Sequence, residues 1–352
     1  MIREYVDVGG FINRFMAKSK IRIQMSTSVV KSPFTGGKAE QVYATEEMEF
    51  RGETYLVHSQ YYRCEDTGEK FTTVEQDTAT FNDLYSQYRI KHGIPFPDEI
   101  KAIRQRYGMN YSQIGKLLGF GVNQWAKYET GQVPSESNGR LIGALRRKEV
   151  TLNLLNDLKD MYEPDEYEKT LKQILTSPDT DTLPSENHYF YEGTVRSINN
   201  GYGEFNHKKV EEMVKYLVKG GTYPTKLNKK MFYSDFLHFK RYGISISGLR
   251  YQAIKYGPVP VHYSTIYDHV PGLESMSIYS GDKESTLLTL STGPDTSIFS
   301  QEELSTLEEI NNKLEPLPVK EIIELSHKEA AWINNYPQKG IIPFSEAYTI
   351  SL

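Results

Sequence analysis

The chain is nearly devoid of cysteine and lacks long apolar runs. Cys64 is its one cysteine among 352 residues, so it forms no internal disulfide, as is common in a reducing cytoplasm. No apolar run approaches the length of a membrane span, and the first ten residues, MIREYVDVGG, contain no apolar core of a secretion signal. We therefore expect a soluble cytoplasmic protein with no membrane partner.

Motifs of the common enzyme classes are also missing. The sequence has no P-loop, no HExxH, no GxSxG and no paired CxxC. A GxG at residues 201–203 lacks both a preceding strand and a third glycine. His238, His262, His269 and His327 are scattered along the chain. We expect neither enzymatic activity nor a cofactor. The alternative, an enzyme acting on nucleic acid, would require a metal or substrate bound among His238, His262 and His327.

The net charge of −5 is not that of a protein that binds DNA over its whole surface. The charge is segregated, however. Residues 97–150 hold nine Lys/Arg against five Asp/Glu, so this segment is +4 while the remainder is acidic. Attraction to phosphates requires only a local positive face, and an acidic remainder suits a different partner.

The length permits two or three domains, and the pattern predicts a multidomain α+β fold. Residues 1–76 form the first predicted domain, in which residues 27–75 alternate like β-strands around a turn at residues 51–53. Residues 77–160 have helical periodicity. Residues 161–190 form the predicted linker, because their second half is polar and contains two prolines. Residues 191–352 form the last domain.

Residues 191–352 are predicted to be mainly helical. Helices are expected at His207–Val218 and at Lys226–Tyr242, where Gly243 ends the second one. Ser300 and Glu303 have the spacing of a capping box for a further helix. A small β-hairpin is expected around the turn at residues 281–282.

The most informative segment is residues 112–131, SQIGKLLGFGVNQWAKYETG. Apolar residues recur at helical spacing, the glycines at 119–121 break the pattern, and Val122, Trp125 and Tyr128 restart it. Ser112 is the expected N-cap. The pattern predicts a helix-turn-helix that enters DNA; the alternative is an ordinary helical hairpin with a polar face.

Burial of that second apolar stripe leaves polar side chains on the outer face of the second helix. Asn123, Gln124 and Lys127 lie there, and such side chains bond base edges or phosphates. We predict that Asn123 and Lys127 read bases. Gln124, Ser112 and Gln113 complete the predicted DNA contacts.

Residues 32–134, and above all GFGVNQWAKYETG, resemble the MqsA antitoxins, repressors with a zinc-binding β domain and a Cro/repressor-like helix-turn-helix. The resemblance places Asn123 and Lys127 at the positions of the family's base-reading asparagine and arginine. Lysine lacks the planar fork that grips guanine, so its readout is expected to be looser. The resemblance also implies a structural ion pair between Arg104 and Glu129.

The zinc site of that family is degenerate in this chain. Its CxxC pairs correspond to residues 32–35 and 64–67, where Ser32, Thr35 and Thr67 replace three thiols and only Cys64 remains. Hydroxyls do not replace thiolates as zinc ligands, and His58 as a compensating ligand would still leave two missing. We therefore predict no metal, hydroxyls bonded to the turn backbone, and Cys64 as a buried structural remnant.

Residues 201 to the end resemble the Panacea (SocA-like) domain, through KLNKKMFYSDF, AIKYGPV and the later SH and AW pairs. The resemblance implies an antitoxin domain, mainly α-helical, that neutralises a protein toxin by direct binding. The candidate partner contacts are Tyr233, Phe236, Tyr256 and Pro258. Helical spacing of the first two favours the core instead.

Together these patterns predict an antitoxin that binds a cognate protein toxin through its last domain and represses its own operon. Operator DNA would be bound by a homodimer formed through residues 78–160. The alternative is a stand-alone helix-turn-helix regulator whose last domain binds another partner or acts as a proteolytic adaptor.

Overall fold

The computed structural model describes residues 24–121, 123–178, 195–280 and 283–352. Several sequence predictions fall partly outside the described residues. These are the start of the β-rich segment, Val122 in the apolar stripe, residues 179–190 of the predicted linker and the turn at residues 281–282.

The described strands form three small sheets. They are β1 (Gln24–Lys31), β2 (Lys38–Phe50), β3 (Glu53–Cys64), β4 (Lys70–Phe71), β5 (Tyr251–Ile254), β6 (Gly257–Pro260), β7 (Leu273–Ser280), β8 (Lys283–Leu290) and β9 (Ile341–Ile342).

The α-helices alternate with short 3-10 turns. They are α1 (Val74–His92), α2 (Pro97–Arg106), α3 (Tyr111–Leu118), α4 (Gln124–Glu129), α5 (Glu136–Ala144), α6 (Lys148–Asp157), α7 (Pro164–Thr176), α8 (His207–Val218), α9 (Pro224–Tyr242), α10 (Tyr263–Asp268), α11 (Gln301–Leu314), α12 (Val319–Lys328) and α13 (Ala330–Ile333). Among the described residues, no helix combines the length and apolar character that crossing a membrane requires.

The chain divides into two compact units. The first unit combines residues 1–84 with residues 193–352, and the second unit is residues 85–192. The sequence analysis assigns residues 1–76 and 191–352 to separate domains, whereas both belong to the first unit of the structure. Their shared packing follows from contacts that join positions far apart in the chain.

An antiparallel sheet in the order β1-β2-β3-β4 opens the first unit. Strands β2 and β3 form a long hairpin whose turn is Arg51–Gly52, with φ of +52° and +81°, so that Phe50 pairs with Glu53. Positive φ at both turn residues matches the twist of a two-residue hairpin. Val42 and Tyr61 are opposite each other in the small core of this sheet.

The sheet and the first half of α1 pack against the end of α9 within the first unit. The Gln60 amide donates to the Lys240 carbonyl at 2.9 Å, and the Asn82 amide donates to the Tyr242 carbonyl at 2.7 Å. Gly243, in the left-handed conformation, ends α9 as predicted. A Cβ on Gly243 would lie 2.8 Å from the Ala79 carbonyl oxygen, so only glycine allows this approach.

Asp83 adds a second set of contacts within the first unit. Its buried carboxylate accepts hydrogen bonds from the Tyr202 hydroxyl at 3.0 Å and from the His58 backbone at 2.8 Å. The His58 ring in turn stacks on Tyr348, with ring centroids 5.3 Å apart. Residues from the beginning, middle and end of the chain therefore share one polar and aromatic core.

Helix α9 is the centre of the C-terminal part of the first unit, with nearly every residue of its first four turns buried. Around it lie α8, α11, α12 and the three-stranded sheet β6-β5-β9. The predicted helix at His207–Val218 is confirmed. The predicted capping box is also confirmed, because Ser300 accepts from the Glu303 backbone while the Glu303 side chain bonds back to Ser300.

The second unit is helical. One core cluster contains residues from α2 through α7. Helix α7 occupies the first half of the predicted linker, and Tyr167 and Ile174 are buried on it. This helix departs from the predicted linker: only the second half of residues 161–190 is polar throughout, whereas α7 is amphipathic and packs one face into the core.

Candidate functional sites

Helices α3 and α4 of the second unit are joined by a short turn that begins at Gly119. Gly119 has φ +68°, in the left-handed region that a glycine adopts without a Cβ penalty. The N-cap of α3 is Asn110, whose side chain accepts from the Gln113 backbone at 2.9 Å. The prediction of Ser112 as N-cap is wrong, because the helix begins one residue before it, at Tyr111.

The apolar stripe lies inside, as the sequence pattern requires. Ile114, Leu117, Trp125 and Tyr128 are buried in the core cluster of the second unit. Phe120, in the turn, packs edge-on against Tyr128 with ring centroids 5.9 Å apart. These contacts orient α4 so that its polar side chains point away from the core.

Arg104 and Glu129 form a bidentate ion pair beneath α4. The Arg104 Nε and Nη2 atoms donate to the two Glu129 carboxylate oxygens at 2.6 and 2.9 Å. The Trp125 indole donates to the same carboxylate at 2.7 Å. This hydrogen bonding raises the pKa of Arg104 further, so its guanidinium stays charged. It ties the end of α4 to α2.

Asn123 and Lys127 are exposed on the outer face of α4, and Gln124 is half-buried beside them. They line an open groove of about 600 Å³. The other lining residues are Leu118, Gly119, Phe120, Gly121, Tyr128, Asn138 and Leu141. Gln124 donates to the Gln132 side chain at 3.3 Å.

The positive charge of residues 97–150 is partly neutralised locally. Lys116 pairs with Glu166 at 2.5 Å and Arg146 pairs with Glu99 at 2.7 Å. Within the part of the chain that the structure describes, the Lys127 ammonium has neither a hydrogen bond nor an ion pair. Lys127 is thus the groove residue whose charge is available to an anion.

The other two predicted DNA contacts, Ser112 and Gln113, differ in exposure and in hydrogen bonding. Ser112 is exposed in the first turn of α3. The Gln113 side chain accepts from the Asn110 backbone at 3.0 Å and donates to the Gln173 side chain at 3.0 Å. Both ends of the Gln113 amide are therefore hydrogen-bonded, which fixes its side chain at the start of α3, and its role as a DNA contact stays a prediction.

The degenerate zinc positions come together at the end of the first sheet. The Ser32, Thr35 and Thr67 hydroxyls each accept from a backbone N–H two residues further on, at 3.2, 3.1 and 3.3 Å. The predicted closure of both turns by hydroxyl–backbone bonds is therefore what the structure has.

Cys64 is buried between these two turns. Its Sγ lies 3.6 Å from the Thr35 hydroxyl, and hydrogen bonds from Ser32, Thr67 and Thr35 lower the pKa of this thiol to about 6. One thiol and three hydroxyls do not fit zinc. His58 is engaged by Asp83 at 2.9 Å.

No group of three or more His, Cys, Asp and Glu side chains within the described ranges could hold a metal ion, and His238, His262 and His327 are part of no such group. His238 is buried and lies 3.2 Å from the Thr306 hydroxyl. Burial lowers the pKa of His238 to about 3, so the ring is neutral at pH 7.

Three of the candidate partner contacts are in the core. Tyr233, Phe236 and Pro258 are buried, and the Tyr233 hydroxyl donates to Glu329 at 3.1 Å while Phe236 stacks on Phe344 at 4.3 Å. Their assignment as partner contacts is wrong, because a partner cannot reach them in the folded domain. Packing around α9 explains their apolar character.

Tyr256 is different, because 57% of its surface is exposed. It lies with Lys255 in the two-residue turn between β5 and β6. The next residue, Gly257, has φ +96°, and a Cβ there would lie 2.4 Å from the Ser326 hydroxyl and 2.7 Å from Lys229 Cε. Glycine thus lets the turn lie directly on α12.

An aromatic stack beside this turn has no assigned role in the sequence analysis. The Trp332 ring lies between His327 and Tyr336, with ring centroids 4.1 and 4.4 Å away. Its indole donates to the Ile254 carbonyl at 2.8 Å. The i, i+4 spacing of Trp332 and Tyr336 is the available sequence signal.

One comparison with known proteins gives a match. A family model described as "Antitoxin SocA-like, Panacea domain" matches residues 227–333, from α9 to α13. No curated protein and no solved structure matches the chain. The match does not include residues 32–134, so the resemblance of that segment to MqsA stays a prediction.

Proposed function

Because residues 227–333 are a SocA-like Panacea domain, we propose that the chain is an antitoxin that neutralises a cognate protein toxin by direct binding. The family match carries this proposal. A toxin is the kind of partner that an antitoxin domain implies, and the mechanism is occlusion of the toxin by a bound surface, with no catalytic step. The first unit, which contains this domain, would hold the toxin.

We further propose that the second unit binds operator DNA as a helix-turn-helix and represses the chain's own operon. Asn123 and Lys127 support this, because both are exposed on the outer face of α4 and Lys127 is an unpaired charge in the described groove. The buried stripe and the Arg104–Glu129 pair give α4 a fixed orientation. One such helix reads few base pairs, so a homodimer on paired half-sites is part of the proposal.

Co-expression with the product of the adjacent reading frame tests neutralisation. We expect that product alone to arrest growth and the full-length chain to restore it. The N123A/K127A variant is the control and should restore growth equally, because its altered side chains lie in the other unit. Persistent arrest with the intact chain would contradict the antitoxin role and favour the stand-alone regulator.

Electrophoretic retardation of the chain's own promoter tests DNA binding. We expect N123A/K127A to abolish sequence-specific retardation, since both base-reading side chains are gone. K101A is the matched control, because Lys101 is an exposed lysine of α2 that does not line the groove. Equal retardation by N123A/K127A and the wild-type chain would contradict the assignment.

A further inference from the structure

The turn between β5 and β6 and the segment around α13 both carry exposed apolar side chains. Tyr256 and Ile333 have 57% and 51% of their surfaces exposed, and Trp332 and Tyr336 are half-buried. We call these four residues the aromatic surface. The indole bond to Ile254 places the second segment against the strand that leads into the Tyr256 turn.

We propose that the aromatic surface is where this antitoxin binds its toxin, and that the toxin offers an acidic face there. The inference rests on the proposed antitoxin function. Exposed clusters of Tyr and Trp with an aliphatic neighbour are typical of the centre of protein interfaces.

The charge around the aromatic surface determines the kind of partner. Residues 250–257 and 326–340 contain four basic side chains, Arg250, Lys255, Lys328 and Lys339, and one acidic side chain, Glu329. Glu329 is 2% exposed and bonded to Tyr233 and Ser351, so it does not offset the cations at the surface.

A neighbouring carboxylate, Glu346, accepts a hydrogen bond from Asn334 at 3.2 Å. Even with the Glu346 charge counted, the four cations outnumber the acidic side chains around the aromatic surface, although the chain as a whole carries −5. Charges at an interface rim steer a partner of opposite sign and set the salt dependence of association.

The ring geometry favours a protein over a nucleic acid. His327 and Tyr336 stack on the Trp332 ring at interplanar angles of 18° and 20°, so part of its aromatic face is already occupied. Proteins that bind single strands offer open aromatic faces to successive bases. Here the ring edges and the Tyr256 and Ile333 tips are presented, which fits insertion into pockets of a protein.

Binding of the purified adjacent-frame product to the full-length chain, measured by titration calorimetry, tests the inference. We expect Y256A/I333A to weaken binding by roughly 30-fold or more, as for two central contacts. M276A/Y279A is the matched control, because Met276 and Tyr279 are similarly exposed on β7 and lie outside the aromatic surface. The control should bind like the wild-type chain.

Charge reversal gives a second, independent measurement. We expect K255E to weaken binding by about 10-fold at low salt and to reduce its salt dependence. K219E is the control, because Lys219 is exposed and outside both segments. Circular dichroism of each variant shows whether the fold is retained.

The outcomes separate the two proposals. If the wild-type chain neither binds nor neutralises the toxin, the antitoxin function fails and this inference fails with it. If the wild-type chain binds but Y256A/I333A and K255E bind equally well, only the aromatic surface is overturned. Equal weakening by M276A/Y279A and K219E would overturn it too.

Discussion

Lys229 is an ionisable residue at a position that solvent does not reach. Its side chain is fully buried in α9, and its Nζ donates to the Pro258 carbonyl at 2.8 Å beneath the Tyr256 turn. Burial lowers its pKa from 10.5 to about 7. Between these two values the unfolded chain binds a proton at Lys229 that the folded chain does not, so stability rises with pH.

The pH dependence of unfolding should show this lysine. Between pH 7.5 and 9, we expect the free energy of unfolding of the wild-type chain to include a rise of about 1.4 kcal/mol per pH unit from Lys229. K229M should lack that rise, because methionine does not titrate. Urea unfolding at several pH values measures it, with exposed K219M as control. Parallel slopes for K229M and wild type would contradict the assignment.

The Arg104–Glu129 pair should be costly to break from one side. The two side chains are 16% and 4% exposed, so E129Q leaves a guanidinium largely desolvated and without its counter-charge. We expect about 3 kcal/mol of local destabilisation. Hydrogen exchange of the amides in residues 124–129 measures it.

The matched control for E129Q is E136Q, which removes the more exposed carboxylate that pairs with Arg140 and lies 3.3 Å from the His92 ring. This change should cost less than about 1 kcal/mol. Equal exchange rates for E129Q and E136Q would show that the buried pair contributes no more than a surface one.

At the scale of the element, patterns among neighbouring residues predicted those features, such as helix caps and helix ends, that neighbouring residues determine. The capping box at Ser300 and the stop at Gly243 were predictable, because capping bonds and left-handed φ involve only neighbouring residues. The N-cap of α3 was misplaced by two residues, since Asn110 and Ser112 both have capping side chains. Tyr233 and Phe236 were candidate partner contacts although their helical spacing favoured the core, because an aromatic residue in a helix has the same sequence pattern whether it packs inside or binds a partner.

The Tyr256 turn should depend on its glycine. G257A places a Cβ in backbone of φ +96° and against Ser326 and Lys229, so we expect a loss of about 2 kcal/mol or more. G293A is the control, because no atom lies within 4 Å of its Cβ position. Thermal unfolding measures both variants. An unchanged midpoint for G257A would show that the turn moves away from α12 without cost.

At the scale of the whole molecule, the division into units was not accessible from the sequence. Gln60 bonds to Lys240 and Asp83 bonds to Tyr202, pairs separated by 180 and 119 positions. No periodicity or turn signal encodes such pairs. The β-rich segment therefore looked like a separate domain, although it covers part of the same core as the Panacea domain.

A fragment of residues 195–352 should consequently be less stable than the same residues in the full chain. It lacks the partners of the Lys240 and Tyr242 carbonyls, and it exposes Tyr348, which is otherwise 5% exposed. We expect a lower thermal midpoint and binding of a dye specific for apolar surface. The control retains residues 24–92 and replaces residues 93–192 by a flexible linker; it should keep the midpoint of the first unit. A fragment as stable as this control would contradict the shared core.

The hydroxyl-lined pocket around Cys64 offers a practical reporter. With a pKa of about 6, the sulfur is an anion at neutral pH and therefore a reactive thiolate. Its burial, however, keeps alkylating reagents away from it. Because Cys64 is the one cysteine of the chain, the rate at which it is labelled in the native state reports how often the two turns separate. The opening of the first sheet can thus be followed without introducing a foreign probe.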